Sequence, residues 1–542
     1  FQSPAATKMA PNDDDDRASI ATTEETPLLA GSPRPSSPRP NQHEHDSQHG
    51  QPALTATTSK NDQLRSRIRP RVLILVFVTL FLIELGVGIT VAPNSAIMES
   101  IICRQHYPRL PLSPDHPIRQ FAGGVALIDD PICKSPDVQS ELAMLRGWAQ
   151  TFECIPGLIG AVPYGILSDR WGRRPVLALS LLGCLLSVAF MYLVFYFSDV
   201  VPLWWFWWSS AFELIGGGGT VLVAMLYTFV ADVVPVDGRA TVFLQLNALF
   251  LGSQMLAGPL GGAMMVNDPW IPLWASLIII GGANLLVLFL PETLHLHDKK
   301  NMATASEDDM DDERSGLQKL LYKTKTGLEE VWEFILGNKS VGLLILSMTF
   351  VILGRFVGEI LLQYATERYH WSWSRASYQL VIRNAFSMFT LLVLMPFASW
   401  FCLQHLGMSA VEKDIWLGRW SGVTAVAGCL IIAGATNGVL FSVGLIWFAL
   451  GSGITSVIRS LLNSLVEEHH VGTVNTLVGF MENVGMMAAG PLLAKSLSLG
   501  LELGGLWVGL PLITAGMFIA TSTAILWIFR LPRRPSLVDL RA

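Results

Sequence analysis

Gly165-Ile166-Leu167-Ser168-Asp169-Arg170-Trp171-Gly172-Arg173-Arg174-Pro175-Val176-Leu177 lies between two apolar runs, near 147–167 and 175–197. At 1.5 Å per residue each run is long enough to cross a hydrocarbon layer of roughly 30 Å, and the charged stretch between them is too short for anything but a turn. It reads as a tight hairpin at one membrane surface. Gly165 lets helices approach closely, Gly172 permits the turn, and Asp169, Arg170, Arg173 and Arg174 hold the loop where water reaches it. Similar runs recur near 72–94, 203–232, 241–264, 271–291, 341–362, 377–402, 417–436, 438–461, 473–497 and 507–530, about twelve in all. The chain is 51% hydrophobic and 15% charged with mean hydropathy +0.44, an excess of apolar residues that a soluble domain of this size has no way to hide. The expected fold is all-α, a polytopic membrane protein.

Basic residues flank the runs on one side: Arg65, Arg67, Arg69 and Arg71 before the first, the hairpin arginines, and Arg530, Arg533 and Arg534 after the last. The positive-inside bias places both termini in the cytosol. Residues 1–70 are polar and rich in Ser, Pro and Asp, a composition expected to stay disordered, as is the short cytosolic tail 531–542. No cleavable signal peptide is expected, and Met9 reads as the start. Residues 95–146 then face outside, where Cys103 and Cys133 either pair or remain two free thiols. The sequon Asn338-Lys339-Ser340 falls on the cytosolic side, where it carries no glycan. Trp204, Trp205, Trp207 and Trp208 suit an interfacial belt. The net charge of -6 gives no basic field for nucleic acid, and the cysteines show no metal-ligand spacing.

A polar loop, 293–340, divides the runs into six and six, giving an N-terminal half 71–292 and a C-terminal half 341–530. Ala257-Gly258-Pro259-Leu260 recurs as Ala489-Gly490-Pro491-Leu492, an offset of 490 − 258 = 232. At that offset Ala240-Thr241-Val242 meets Gly472-Thr473-Val474, and Gly219-Thr220 meets Gly451-Ser452. The register implies two six-helix pseudo-repeats in parallel orientation, with a substrate path between them near the membrane midplane. Within the loop, Leu317, Leu320, Leu321, Leu328, Val331, Trp332 and Ile335 space one apolar face, expected to lie along the inner membrane surface.

The 165–177 stretch resembles the G-x-L-(A/S)-D-R-x-G-R-(R/K)-x-x-L signature of the major facilitator superfamily, and the chain is similar to its fungal drug- and metabolite-proton antiporters over about 70–530. The resemblance implies that Asp169 and Arg173 join a charge network closing the cytosolic side, with Asp232 as the carboxylate partner of Arg173. Gly258-Pro259-Leu260-Gly261-Gly262 resembles the end of an antiporter motif whose upstream glycines are incomplete here. Pro291-Glu292-Thr293-Leu294 resembles a further family feature. The matching region of the second half, 403–420, keeps Lys413, Asp414 and Arg419 but no clean copy.

An ionisable side chain inside a span costs a few kcal/mol even on the lenient insertion scale of about 2.5–3.5 kcal/mol, so it faces protein or water. Glu84, Glu153, Glu213, Arg355, Glu359, Arg383 and Glu482 qualify as proton or substrate residues. Arg146 with Glu153, and Arg355 with Glu359, are spaced to share a helix face. A carboxyl in a cavity that opens to one side at a time carries protons across, and Glu84 and Glu482 are the preferred carriers; Arg383 suits an anionic group. Each has a plain alternative as a static pair or an interface-reaching side chain. The run Gly216 to Gly219 serves packing or lets backbone approach a ligand.

The reading is a secondary transporter of a small organic molecule, driven by a proton gradient with no cofactor, exporting it or loading it into a vacuole. The alternatives are proton-coupled uptake and a non-transporting receptor on the same fold. No nucleotide-binding loop, nucleophile or metal constellation is present, so no enzyme is expected. Glu24-Glu25-Thr26-Pro27-Leu28-Leu29 resembles an acidic dileucine signal for a sorting adaptor, leaving plasma and vacuolar membranes open. Ser32, Ser36 and Ser37 beside prolines suit phosphorylation. The protein is expected to act as a monomer with a small-molecule substrate and the bilayer as its partners.

Overall fold

The computed structural model describes residues 52–108, 131–294, 339–465 and 471–529. The tail motifs before Pro52, the apolar face of the central loop, the sequon asparagine and the arginines after 529 lie outside them. Every regular element among the described residues is helical. Twelve are long and apolar enough to span a membrane: Arg67–His106, Pro136–Trp171, Arg173–Tyr196, Leu203–Val233, Thr241–Met265, Trp270–Val287, Val341–Tyr369, Trp373–Gln404, Ala410–Gly434, Gly438–Leu465, Leu477–Leu503 and Gly505–Ile528, numbered spans 1 to 12.

The ends differ from the sequence reading in three places. Helix begins at Pro52, so the expected disordered tail stops short of residue 70. Once span 1 exists, adding turns to its start needs no new nucleus, and Leu64-Arg65-Ser66-Arg67-Ile68-Arg69 are adequate helix formers. Span 1 also continues past a break at Ile89–Thr90 to His106, and span 2 begins at Pro136, eleven residues (147 − 136) before its most apolar part. Both extensions carry polar residues because they pack on each other rather than on lipid. A disulfide ties Cys103 of the span 1 extension to Cys133 in the turn Pro131–Lys134 just ahead of span 2, their Cα atoms 5.2 Å apart.

Among the described residues, three apolar cores hold the bundle. One, at the end bearing the disulfide, takes residues from both sets of six spans, among them Ile102, Leu142, Phe195, Tyr364, Phe441 and Leu497. At the opposite end, which carries Arg170, Arg173 and Arg174, the cores are separate: Val76, Leu177, Phe229 and Val287 belong to the first six spans, and Leu344, Ile458 and Leu526 to the last six. Span 2 packs on span 11 and span 5 on span 8 across the seam. Arg419 receives no copy of the hairpin motif's role; its guanidinium donates to Leu526 O at 3.0 Å and stacks over Trp527, capping the end of span 12. Of the tryptophans before span 4, Trp204, Trp205 and Trp208 are exposed, while Trp207 turns inward and donates to Leu145 O at 3.0 Å.

Candidate functional site

At the basic end, span 2 stops at Gly172 because its φ of 112° leaves the helical region, and span 3 starts at once with Arg173. The new helix exposes unpaired amides, and Glu292, beyond the end of span 6, fills the place of a cap: Arg173 N donates to its Oε1 at 2.9 Å and Arg174 N to its Oε2 at 3.1 Å. A side chain at position 172 would collide with that carboxylate. The Arg173 guanidinium, 7% exposed, donates to Ser168 Oγ at 2.8 Å and to Asp169 Oδ1, and its Nε lies 3.6 Å from Asp232 Oδ2. Thr293 Oγ1 donates to the same Asp232 oxygen at 2.7 Å. Asp169 is 60% exposed and Asp232 3%. The network thus binds spans 2, 3, 4 and the end of span 6 together, all within the first six; among the described residues the Arg170 and Arg174 side chains take no part in it, and Gly165 faces open space.

The disulfide end is where the two sets meet. Glu99, buried at 5% exposure on the extension of span 1, accepts from Lys134 Nζ at 2.5 Å and from Gln139, both of the first six spans, and from Trp373 Nε1 of span 8 at 2.7 Å. Lys134 also sits over the Trp373 ring, 4.9 Å from its centroid. Gln363 of span 7 donates to Gln139 O at 2.8 Å, Ser140 to Ser498 at 2.5 Å, Thr151 to Met487 O at 2.8 Å, and Ser374 to Gly262 O at 2.8 Å. Along the seam of spans 2 and 11 the backbones themselves touch: a Cβ on Gly147 would fall 2.7 Å from Gly490 O, and one on Gly490 2.3 Å from Gly147 O. Gly258, Pro259's neighbour, lines the facing seam of spans 5 and 8, 3.7 Å (as a built Cβ) from Ser377 O. Among the described residues, the hydrogen bonds between the first six spans and the last six lie toward this end and none at the basic end. Neither Glu99 nor Lys134 was singled out from the sequence. A lone acid in Ala96-Ile97-Met98-Glu99-Ser100-Ile101-Ile102 was the available signal, hidden because the run lay outside the expected span.

Between the two ends, Glu153 at mid-span 2 and Glu359 on span 7 are solvent-accessible. Glu153 stands in electrostatic reach of Glu213, Glu359 and Arg146. Arg146 donates to Glu359 O at a marginal 3.5 Å and makes no ion pair with Glu153. The expected Arg355–Glu359 pair does not form either. Span 7 breaks at Phe356, so the two residues no longer share a face; Arg355 instead donates to Gly451 O at 3.2 Å, and Glu359 turns toward Arg146 and Arg383. Glu84 accepts from Gln254 of span 5 at 2.9 Å. Glu482, expected as a free carrier, is held by Arg459 of span 10 at 2.6 Å. A cavity between spans 1, 5, 7 and 8 is lined by Gly88, Gln254, Gly258, Glu359, Arg383 and Asn384.

Span 4 is broken beside this cluster. Glu213 ends a short helix, and Gly216, Gly217 and Gly218 follow at φ 108°, 81° and 64°, a left-handed run that other residues adopt only with strain. The carbonyls freed there are taken by side chains, Tyr164 Oη donating to Leu214 O at 2.7 Å and Ser180 Oγ to Gly216 O at 2.5 Å. Span 10 is interrupted at Gly451–Gly453, and at the offset of 232 Gly451 meets Gly219, which lies in the first turn of helix after the break in span 4. Span 8 widens into a π-turn at Thr390–Leu394, just before Pro396 removes an amide donor. A Cβ at Gly216 would lie 2.4 Å from the Ser180 backbone, whereas nothing lies within 4 Å of Gly219. Gly216→Ala is therefore expected to reduce monodisperse protein severely in size-exclusion chromatography, and Gly219→Ala to leave it unchanged; equal yields would remove the conformational role assigned to Gly216.

Comparison with known proteins agrees with this architecture. A family model described as Major Facilitator Superfamily matches residues 143–490. The chain is 30% identical over 434 residues to the efflux pump ustT of Aspergillus flavus, covering 79% of this chain and 82% of the relative. It is 32% identical over 467 residues to the MFS efflux pump atnC of Emericella nidulans, covering 85% and 88%. Its fold is similar to the crystal structure of the nucleoside transporter NupG, with TM-score 0.56 at 12% identity, covering 85% of this chain and all of that one.

Proposed function

The chain belongs to the major facilitator superfamily, a secondary-transporter family, and from that premise we propose that it exports a small organic molecule, or loads it into a vacuole, in exchange for protons. The observation that carries the reading is the asymmetry of the two ends: one shared core and a set of cross-links at the disulfide end, two separate cores at the basic end. With the basic end in the cytosol, as its arginines predict, this arrangement is the cytosol-facing half of an alternating cycle. Glu153, Glu213 and Glu359 outnumber the two arginines that face them, Arg146 and Arg383, and a proton makes up the missing positive charge. The efflux-pump relatives favour export over uptake.

The test is a mass-spectrometric comparison of cells, vacuoles and medium with the protein deleted, restored, or restored as Asp169→Asn at matched level. Accumulation in deleted cells, relieved only by the intact protein, supports export or sequestration and names the cargo. A compound left unused in the medium means uptake; no difference between intact protein and Asp169→Asn means a receptor. In vesicles, Glu153→Gln is expected to abolish accumulation driven by a pH gradient, about 10²-fold or more on the scale of catalytic proton-transfer groups, while cargo still equilibrates down its own gradient. Full gradient-driven accumulation by Glu153→Gln would remove Glu153 from the coupling path.

A further inference from the structure

The arginines inside the spans are not equally compensated. Arg146 faces Glu359 and Glu153, and Arg383 faces Glu359. Arg355 has none: its charged neighbour is Arg383, and its remaining neighbours are neutral, the Cys429 thiol, Gly451 O at 3.2 Å and the Phe448 ring at 5.8 Å. Among the described residues no carboxylate pairs with it, and its one hydrogen bond is to the neutral Gly451 O, while the neighbouring Arg383 lines the cavity between spans 1, 5, 7 and 8. Arg383 spends its donors on neutral oxygens, Gly358 O at 2.9 Å and Asn384 Oδ1 at 3.2 Å, which fix the fork without cancelling its charge.

A guanidinium stays protonated in proteins, so it has no neutral form to retreat to in a low-dielectric span, and two neighbouring ones repel. Such a pair persists where a ligand supplies the missing charge, and planar N–H forks match the oxygens of carboxylate, sulfate and phosphate groups. The acids Glu84, Glu153 and Glu213 lie on spans 1, 2 and 4, whereas this pair lies on spans 7 and 8, where the one carboxylate facing Arg383 is Glu359, shared with Arg146. We infer that Arg355 and Arg383 form a subsite for an oxyanion group on the cargo, which makes the cargo an organic acid. The inference rests on the transport reading above and adds the charge class of what is carried.

The experiment takes the compound whose distribution depends on the intact protein and determines whether it binds a strong anion-exchange resin at neutral pH. Its transport is then compared in vesicles carrying intact protein, Arg355→Gln or Arg355→Lys at matched monodisperse level. An anionic cargo, a loss of tenfold or more with Arg355→Gln and an intermediate rate with Arg355→Lys are expected. A cargo lacking an ionised oxyanion overturns the subsite while leaving transport intact, and this arm needs no variant to fold. Equal rates for Arg355→Gln and intact protein overturn it too. No compound differing between deleted and restored cells means that the transport reading has failed, and the subsite falls with it.

Discussion

Transport by Arg173→Ala is expected to fall to background, with less protein surviving in the membrane. The guanidinium is buried and serves Ser168, Asp169 and Asp232 at once. Its pair with the exposed Asp169 is worth at most about 1 kcal/mol, but taking the cation from beside buried Asp232 costs about 3–5 kcal/mol, a large part of the roughly 5–15 kcal/mol that holds a domain folded. Thr293 keeps its bond to Asp232 and offers a hydroxyl where a charge was. The double change Arg173→Ala with Asp232→Asn is therefore expected to recover protein level without recovering transport. Asp169→Asn is the contrasting case, since its exposed carboxylate contributes little to the fold: level unchanged, transport lost. Chromatographic level, thermal midpoint and initial transport rate separate these outcomes. Arg173→Ala transporting at half the intact rate or better would show that the network is not needed for the cycle.

The second large effect is expected at the opposite end. Glu99→Gln keeps the size of the side chain but removes the charge that Lys134 and the Trp373 indole are bound to. Hydrogen bonds to a charged group are worth about 1.5–3 kcal/mol each, so weakening the one that crosses between the sets of spans shifts the equilibrium toward an open disulfide end by about tenfold or more. Leu362 lines the cavity behind this seal. With Cys154, Cys184, Cys402 and Cys429 replaced, Leu362→Cys is expected to react with an impermeant maleimide from the disulfide side at least tenfold faster when Glu99→Gln is present. Trp373→Phe, which keeps the ring and loses the N–H, is expected to act in the same direction by less. An unchanged labelling rate in Glu99→Gln would mean that the cores alone keep this end shut.

Span number and approximate position were legible because a bilayer demands length and hydrophobicity locally, and each run meets that demand by itself. The 232-residue register was legible too, and it led to more than packing: Gly451 starts a helix break, Gly219 follows one within a turn, and Gly258 and Gly490 sit on the two facing seams. Partners were harder. Arg173 with Asp232 came from the family resemblance, whereas Glu99 with Trp373, 274 residues apart, obeys no periodicity that a helix imposes. Arg355 and Glu359 were paired on the assumption of a continuous helix, and the break at Phe356 turned one away from the other. Glu482 looked isolated because Arg459, its partner, comes from a neighbouring span whose rotation the sequence leaves open.

The contact of Gly147 with Gly490 sets the leverage of the molecule. No side chain separates the two backbones there, so spans 2 and 11 can roll on that point as on a fulcrum. Span 2 runs from Pro136 to Trp171, which leaves 147 − 136 = 11 residues on the disulfide side and 171 − 147 = 24 on the basic side. At 1.5 Å per residue the arms are about 16 Å and about 36 Å, a ratio of roughly two. One tilt therefore parts the basic mouth about twice as far as the other, giving a wide vestibule at the basic end and a narrow slit at the disulfide end.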